Sequence, residues 1–411
     1  MTQPPQMKKR SHLIVEAMDQ RQESQQWEEF IVGMLRKLEL PPEKQAAAEN
    51  RYKEFGRHIA NKLGVYETEV HVVVQGSMKT QTTIAGDGRE NFDLDVAVKL
   101  SGPRFEGLRD SEPFFQRFGK ALEGLDGSGK PSPKNRCWRL PYPGEPFYFD
   151  VTPAIPMSDE ITGTDLRVRD PITTWSPSNP EEFADWFSLI AKKRFPFQEE
   201  QIRKSLVEAK ATVDPLPKAK VRIDDILRRM VQLMKLHRDS YYKQLSEQKK
   251  EGKPISVILV TLAAKAYDEI VTNEAHLYSS AIEVALEVVD RMPKFIQKGL
   301  LGIRVDNPAL SGKRGENFAD KWNTDHGLRE NEFNTWHERL TTDLDALFSE
   351  EYSKRSENRI RGVFGEHGVR AWKESLPMPQ GILGGLLATA PGQSKTQPQS
   401  ARPSGYRNSL A

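Results

Sequence analysis

The sequence predicts an α+β protein of two lobes: a small mixed β-sheet lobe with helices, then a C-terminal helical lobe. Three observations carry that expectation. Apolar runs of strand length cluster between residues 70 and 152. From about Ser178 onward, apolar residues recur at helical spacing. The 411 residues also leave room for more than one core.

Taken in order, residues 1–20 are expected to be loose, since they begin with the polar MTQPPQMKKRSH. Residues 23–38, ESQQWEEFIVGMLRKL, have helical periodicity. Pro41-Pro42 then opens a second helix, whose stripe Tyr52, Phe55, Ile59 and Leu63 ends at Gly64. Four strands are expected: VHVVVQ (70–75), FDLDVAVKL (92–100), NRCWRL (135–140) and FYFDVT (147–152). Pro143-Gly144-Glu145-Pro146 makes the last two a hairpin. Three helical stretches follow, PEEFADWFSLIAKKRF, IDDILRRMVQLMKLHRDSYYKQL and ISVILVTLAAKAYDEIV. The sheet lobe is therefore assigned to 21–200 and the helical lobe to 201–378. Residues 379–411 contain no acid and are rich in Gly, Pro, Ser and Gln, so they read as a flexible tail.

Composition narrows the function classes. The net charge is +2, too near neutral for a chain that coats nucleic acid, so any phosphate binding must be local. Cys137 is the only cysteine, which excludes an intrachain disulfide and a multi-cysteine zinc module. The eight histidines form no close pair at metal-ligand spacing. The first residues lack an apolar signal core, and the longest apolar run, Ile255 to Ala264, is about half a membrane span. A cytoplasmic protein with no membrane partner is the expectation.

The chemistry sits in FDLDVAVKL. Side chains alternate faces along a strand, so Phe92, Leu94, Val96 and Val98 share one face and Asp93, Asp95, Ala97 and Lys99 the other. In FYFDVT the same alternation sets Phe147, Phe149 and Val151 against Tyr148, Asp150 and Thr152. Asp93, Asp95 and Asp150 are then three acids on polar strand faces. Like charges so close repel unless a cation lies between them. Carboxylates converging from neighbouring strands suit Mg²⁺, a hard cation with oxygen ligands, with Mn²⁺ as a substitute. Two such ions would activate an attacking hydroxyl and stabilise a leaving pyrophosphate. Gly76-Ser77 follows the apolar strand VHVVVQ directly; a glycine lets backbone approach a phosphate and the serine adds a hydroxyl donor.

Gly76-Ser77, Asp93-Leu94-Asp95 and Asp150 resemble the active-site signature of the DNA polymerase β-like nucleotidyltransferases, with a longer gap between Ser77 and Asp93 than in many of them. Within that superfamily the chain resembles the bacterial cGAS/DncV-like nucleotidyltransferases (CD-NTases). QGSMKTQTTI, FDLDVAV, FDVTPAIP, SNPEEFADWF and VQLMKLHRD carry the likeness, and ISVILVTLAAKAY and VDNPAL…ENFADKW extend it. It covers about residues 50 to 325.

The resemblance implies a two-lobed nucleotidyltransferase with its nucleotide between the lobes. It would make a cyclic di- or trinucleotide from ATP, GTP or other NTPs, as a second messenger to an effector protein in anti-phage (CBASS) defence. Asp93 and Asp95 would hold both metals. Asp150 would join one of them and help deprotonate the acceptor. Gln75, Gly76, Ser77 and, by the likeness, Lys235 would bind the nucleotide. A superfamily member making linear oligonucleotides, or nucleotidylating a protein or RNA, would share these residues. The resemblance also implies that a ubiquitin-ligase-like accessory protein joins the C-terminus, here Ala411, to other molecules. The single cysteine leaves no zinc insertion and hence no DNA activation. His237, Trp186 and Trp322 read as core residues, Arg238 and Asp239 as ion-pair partners bracing the lobes, and Lys192, Lys193 and Arg194 as a solvated face.

Overall fold

A computed structural model describes residues 9–85, 91–157, 164–200, 225–300, 302–310, 315–352 and 357–375. The chain opens with α1 (Arg10–Gln20) and α2 (Ser24–Leu38), then α3 (Pro42–Lys53) and α4 (Phe55–Leu63). Pro42 starts α3, as expected, and Gly64 ends α4 in the left-handed region at φ 67°. The sheet lobe then adds β1 (Val70–Val74), the short α5 (Gly76–Thr80), β2 (Phe92–Leu100) and α6 (Ser111–Ala121). It is completed by β3 (Ser132–Pro133), β4 (Trp138–Pro141), β5 (Phe147–Pro156), β6 (Leu166–Asp170) and β7 (Thr174–Ser178).

These strands form one mixed sheet in the order β1-β2-β5-β4-β3, with β6 paired to the second half of β5 and β7 to β6. β2 and β5 run parallel, and β4 returns antiparallel to β5 through the expected hairpin, closed by Glu145 N–H donating to the Tyr142 carbonyl at 3.1 Å. One face is apolar: Leu94, Val96, Val98, Phe147, Phe149 and Val151 pack on Phe55, Ile59, Phe115 and Phe118 from α4 and α6. Gly119 of α6 lies against the Trp138 ring, which leaves no room for a side chain there.

The helical lobe comprises α7 (Pro180–Ala191), α8 (Ile226–Lys243), α9 (Glu247–Glu251), α10 (Ser256–Asn273), α11 (Ala281–Arg291), α12 (Leu328–Ser349) and α13 (Glu357–Ser375). Helix α7 starts on an Asn179 cap, whose side-chain oxygen accepts from Glu182 N–H at 3.1 Å, followed by Pro180. Gly365, at φ 65°, kinks α13. No described helix is long and apolar enough to cross a membrane.

Two expectations need correcting. Residues 10–20 are a packed helix, not a loose end: Ile14, Val15 and Met18 are buried. Arg10 pairs with Asp290 at 2.9 Å and Asp345 at 2.7 Å, while Lys9 pairs with Glu274 at 2.7 Å. Those partners lie far along the chain, so the polar beginning hid them. The lobes also divide differently. Trp27, Phe30, Met34 and Leu35 of α2, and Phe183 and Phe187 of α7, share one core with Met234, Leu262 and Trp336 of the helical lobe. From α1 the chain thus runs in the helical lobe, leaves it at α3 to build the sheet, and returns at α7. The tail, including Ala411, lies outside the described residues.

Candidate active site

Backbone register positions the acids. In the parallel β2–β5 pair Asp95 sits directly opposite Asp150, and Asp93 lies two residues earlier on the same strand face. Ligand oxygens of Asp93, Asp95 and Asp150 all lie within 4.8 Å of one another, with Asp93 exposed and Asp150 buried. Burial, then the charges of Asp93 and Asp150, push the Asp95 carboxyl well above the ordinary carboxylate range. Three oxygen donors of one sign at this spacing fit a divalent cation.

The turn after β1 is built around the same acid. Gln75 N–H donates to the Asp95 carbonyl at 3.0 Å, ending the strand pairing one residue before Gly76. Gly76 has φ +60°, and a Cβ there would lie 2.1 Å from Asp95 Oδ2. Both facts require glycine. Gln75 Nε2 donates to Thr152 Oγ1 at 3.3 Å, so its side chain braces the sheet as well as lining the cleft. Ser77 Oγ accepts from Thr83 Oγ1 at 3.1 Å.

A residue missed in the sequence lies across the hairpin. Arg139 of β4 pairs in register with Asp150, donating from Nε to Oδ1 at 2.9 Å and from an Nη to Oδ2 at 2.7 Å. Its guanidinium also lies 3.9 Å from the Tyr148 ring centre, a cation–π contact. Folding NRCWRL and FYFDVT about the Pro143–Pro146 turn would have found it. Cys137, close by, has its thiol held up by burial and by the three carboxylates, and so stays protonated.

Lys235 reaches the site from α8. It is buried, and its Nζ donates to the Thr82 carbonyl at 3.1 Å and Thr82 Oγ1 at 2.9 Å. Burial, reinforced by Arg238, pulls its ammonium down to about 7 against the attraction of Asp95, Asp239 and Asp93. Ile226, Met230, Leu233, Met234 and His237 of the same helix all face inward. His237 accepts from Trp336 Nε1 at 3.1 Å through Nδ1, leaving Nε2 to face Asp343 at 3.1 Å; it serves packing, as expected. Arg238 and Asp239 do pair, at 2.9 Å. Arg238 otherwise donates to Pro254 O and Ser256 Oγ, so it braces α8 against the start of α10 and not one lobe against the other. Trp322 is core and Trp186 packs at its edge, while Lys193 pairs with Asp268 on the surface.

The acids, Gly76, Ser77, Arg139 and Lys235 line one cavity of about 910 Å³. Its opposite wall comes from the helical lobe, including Asn307, Phe318 and Trp322. The sheet thus supplies the charge and the helices close the far side. Among solved structures, the CD-NTase CdnG of Bradyrhizobium diazoefficiens, in complex with GTP, superposes with a TM-score of 0.62 at 21% identity, covering 84% of this chain and 97% of that one. The chain has the fold of a CD-NTase nucleotidyltransferase. CD-NTase CdnC of E. coli MS115-1, with ATP, gives a TM-score of 0.55 at 13% identity over 83% of this chain and 98% of that one. The chain is also similar to a curated c-di-GMP synthase of Roseivirga ehrenbergii, 25% identical over 305 residues, which span 72% of this chain and 73% of the relative. No protein-family model matches.

Proposed function

We propose that this protein is a cyclic oligonucleotide synthase, joining NTPs into a cyclic di- or trinucleotide second messenger for cytoplasmic anti-phage (CBASS) signalling. The observation that carries the reading is the carboxylate triad with Gly76-Ser77 inside a cavity walled by both lobes of a CD-NTase fold. Likeness to a c-di-GMP synthase supports GTP as a substrate, with ATP the other natural choice.

Asp93, Asp95 and Asp150 would hold Mg²⁺, two ions in all, which when bound supply charge stabilisation at the attacking and leaving oxygens. Gly76 and Ser77 receive the donor triphosphate, and Lys235 meets it as a point charge. Asp150 accepts two hydrogen bonds from Arg139, and each carboxylate oxygen keeps a further lone pair that can take the acceptor hydroxyl's proton. The hydroxyl oxygen bonds to the donor's α-phosphorus, the bond to the bridging oxygen breaks, and pyrophosphate leaves. Turning the linear product round in the same site lets its own hydroxyl close the ring.

The test is a product assay: protein, Mg²⁺ and labelled NTPs, followed by phosphatase, chromatography and mass detection. A phosphatase-resistant species at the mass of a closed di- or trinucleotide is the expected result. Label found only in linear oligonucleotides, protein or RNA would replace this reading with the general nucleotidyltransferase one.

A further inference from the structure

Between Gly76-Ser77 and the helix carrying Lys235 lies a hydroxyl-rich segment, Thr80, Thr82 and Thr83, to which the reading above gives no task. Thr80 and Thr82 are buried, and their Oγ1 atoms lie 2.9 Å apart. Thr80 Oγ1 donates to the Gly76 carbonyl at 3.1 Å. A hydroxyl has one hydrogen. Thr80 Oγ1 also faces the Ser77 carbonyl at 3.4 Å, and with its hydrogen spent on these carbonyls the Thr82 hydroxyl donates to Thr80. Thr82 Oγ1 then meets Lys235 Nζ only as an acceptor, at 2.9 Å. The result is a one-way chain of donors from the Lys235 ammonium through Thr82 and Thr80 to the backbone of Gly76. Alongside it, Thr83 Oγ1 donates to Ser77 Oγ at 3.1 Å, which leaves the Ser77 hydrogen to point elsewhere. Ser77 and Lys235 both line the cavity.

We infer that Thr82 and Thr83 are positioning residues for the triphosphate: Thr82 fixes the Lys235 ammonium relative to the Gly76 turn, and Thr83 orients the Ser77 hydroxyl to donate into the cleft. The inference rests on the reading of Lys235 and Ser77 as phosphate contacts. Both threonines line the cavity as well, and each acts here through its neighbour, Lys235 or Ser77. Their effect is on how many donors are pre-aimed when the nucleotide arrives, and so falls on binding more than on the chemical step.

The experiment measures binding of α,β-methylene analogues of GTP and ATP to the full chain in Mg²⁺ by calorimetry, with thermal unfolding run in parallel. Thr82→Val, which keeps shape and removes the hydroxyl, is expected to weaken binding of the preferred analogue about tenfold. Thr82→Ser should restore it. In a Lys235→Met background Thr82→Val should cost nothing further. Thr83→Val, paired with Ser77→Ala, should behave in the same way and serves if Thr82→Val lowers folding stability. A Thr82→Val loss that persists in the Lys235→Met background, or that Ser does not restore, overturns the inference and makes Thr82 a packing residue. Lys235→Met binding as tightly as the native chain would instead overturn the phosphate role of Lys235 itself, a separate result.

Discussion

Two polar clusters flank α8, one packed in the core and one lining the cavity. His237 accepts from Trp336, faces Asp343, and Asp343 is further paired with Arg339 at 2.7 Å; every group has a partner from the protein itself. In the carboxylate cluster Asp150 is paired with Arg139, and Lys235, which the charges of Asp95 and Asp93 attract, is held by Thr82. Burial raises one carboxyl of that cluster and lowers its lysine. A satisfied polar cluster specifies packing, whereas one whose charges remain in tension is poised for something brought in from outside.

The contrast can be broken at Asp95 first. Asp95→Asn should lower turnover about a thousandfold or more if, as proposed, it is the central metal carboxylate. In EDTA the same variant should be more stable by about 1 kcal/mol, measured by denaturant titration, because burial and then two neighbouring carboxylates penalise the ionised form of Asp95 and Asn does not ionise. The sign follows from linkage. Folded Asp95 holds its proton to higher pH than the unfolded chain does, so the metal-free protein loses stability as pH rises past about 4, and Asn abolishes that loss.

Gly76→Ala comes next. A Cβ in left-handed backbone must displace the Asp95 carboxylate, and a misplacement of that size costs about a hundredfold in kcat/KM in a steady-state assay. Lys235 tests the lowered ammonium. Its charged form is lost as pH rises through about 7, so kcat/KM should fall about tenfold between pH 6 and 8. Lys235→Arg, charged throughout, should remove that fall even where its activity is lower.

The core cluster supplies the smallest effect on chemistry. His237→Leu strands the Trp336 indole N–H and should cost about 2–3 kcal/mol by chemical denaturation. Turnover of the remaining folded protein should stay within about twofold, as expected of a substitution remote from the reacting groups. Here burial depresses the histidine, so the unfolded chain takes up the proton as pH falls below about 6.5. Stability is lost on the acid side, opposite in sign to Asp95, and His237→Leu should flatten that limb.

Much of the fold and the triad could be read from the chain because both depend on local periodicity. Alternation placed Asp93, Asp95 and Asp150 on polar strand faces, whereas Lys235 was singled out by the resemblance, since helical spacing alone leaves it a surface lysine. What the sequence hid is long-range. Nothing near Arg10 announces Asp290 and Asp345, and nothing in α2 says that Trp27 packs beside Phe348 and Tyr352 rather than the sheet. Arg139 meets Asp150 only through the hairpin register, which no local periodicity marks. Lys235 was expected to be free for phosphate, and its tether to Thr82 depends on a segment 153 positions away.

The parallel pairing of β2 with β5 also bears on the order of folding. Asp95 and Asp150 are neighbours only after α6, β4 and the hairpin turn have been laid down between them, and such non-local closure is slow compared with helix formation. The triad therefore depends on a pairing that closes across more than fifty intervening residues. A chain halted before β5 holds two lone acids and Gly76 with no third carboxylate, so the candidate metal site is complete only once β5 has been added.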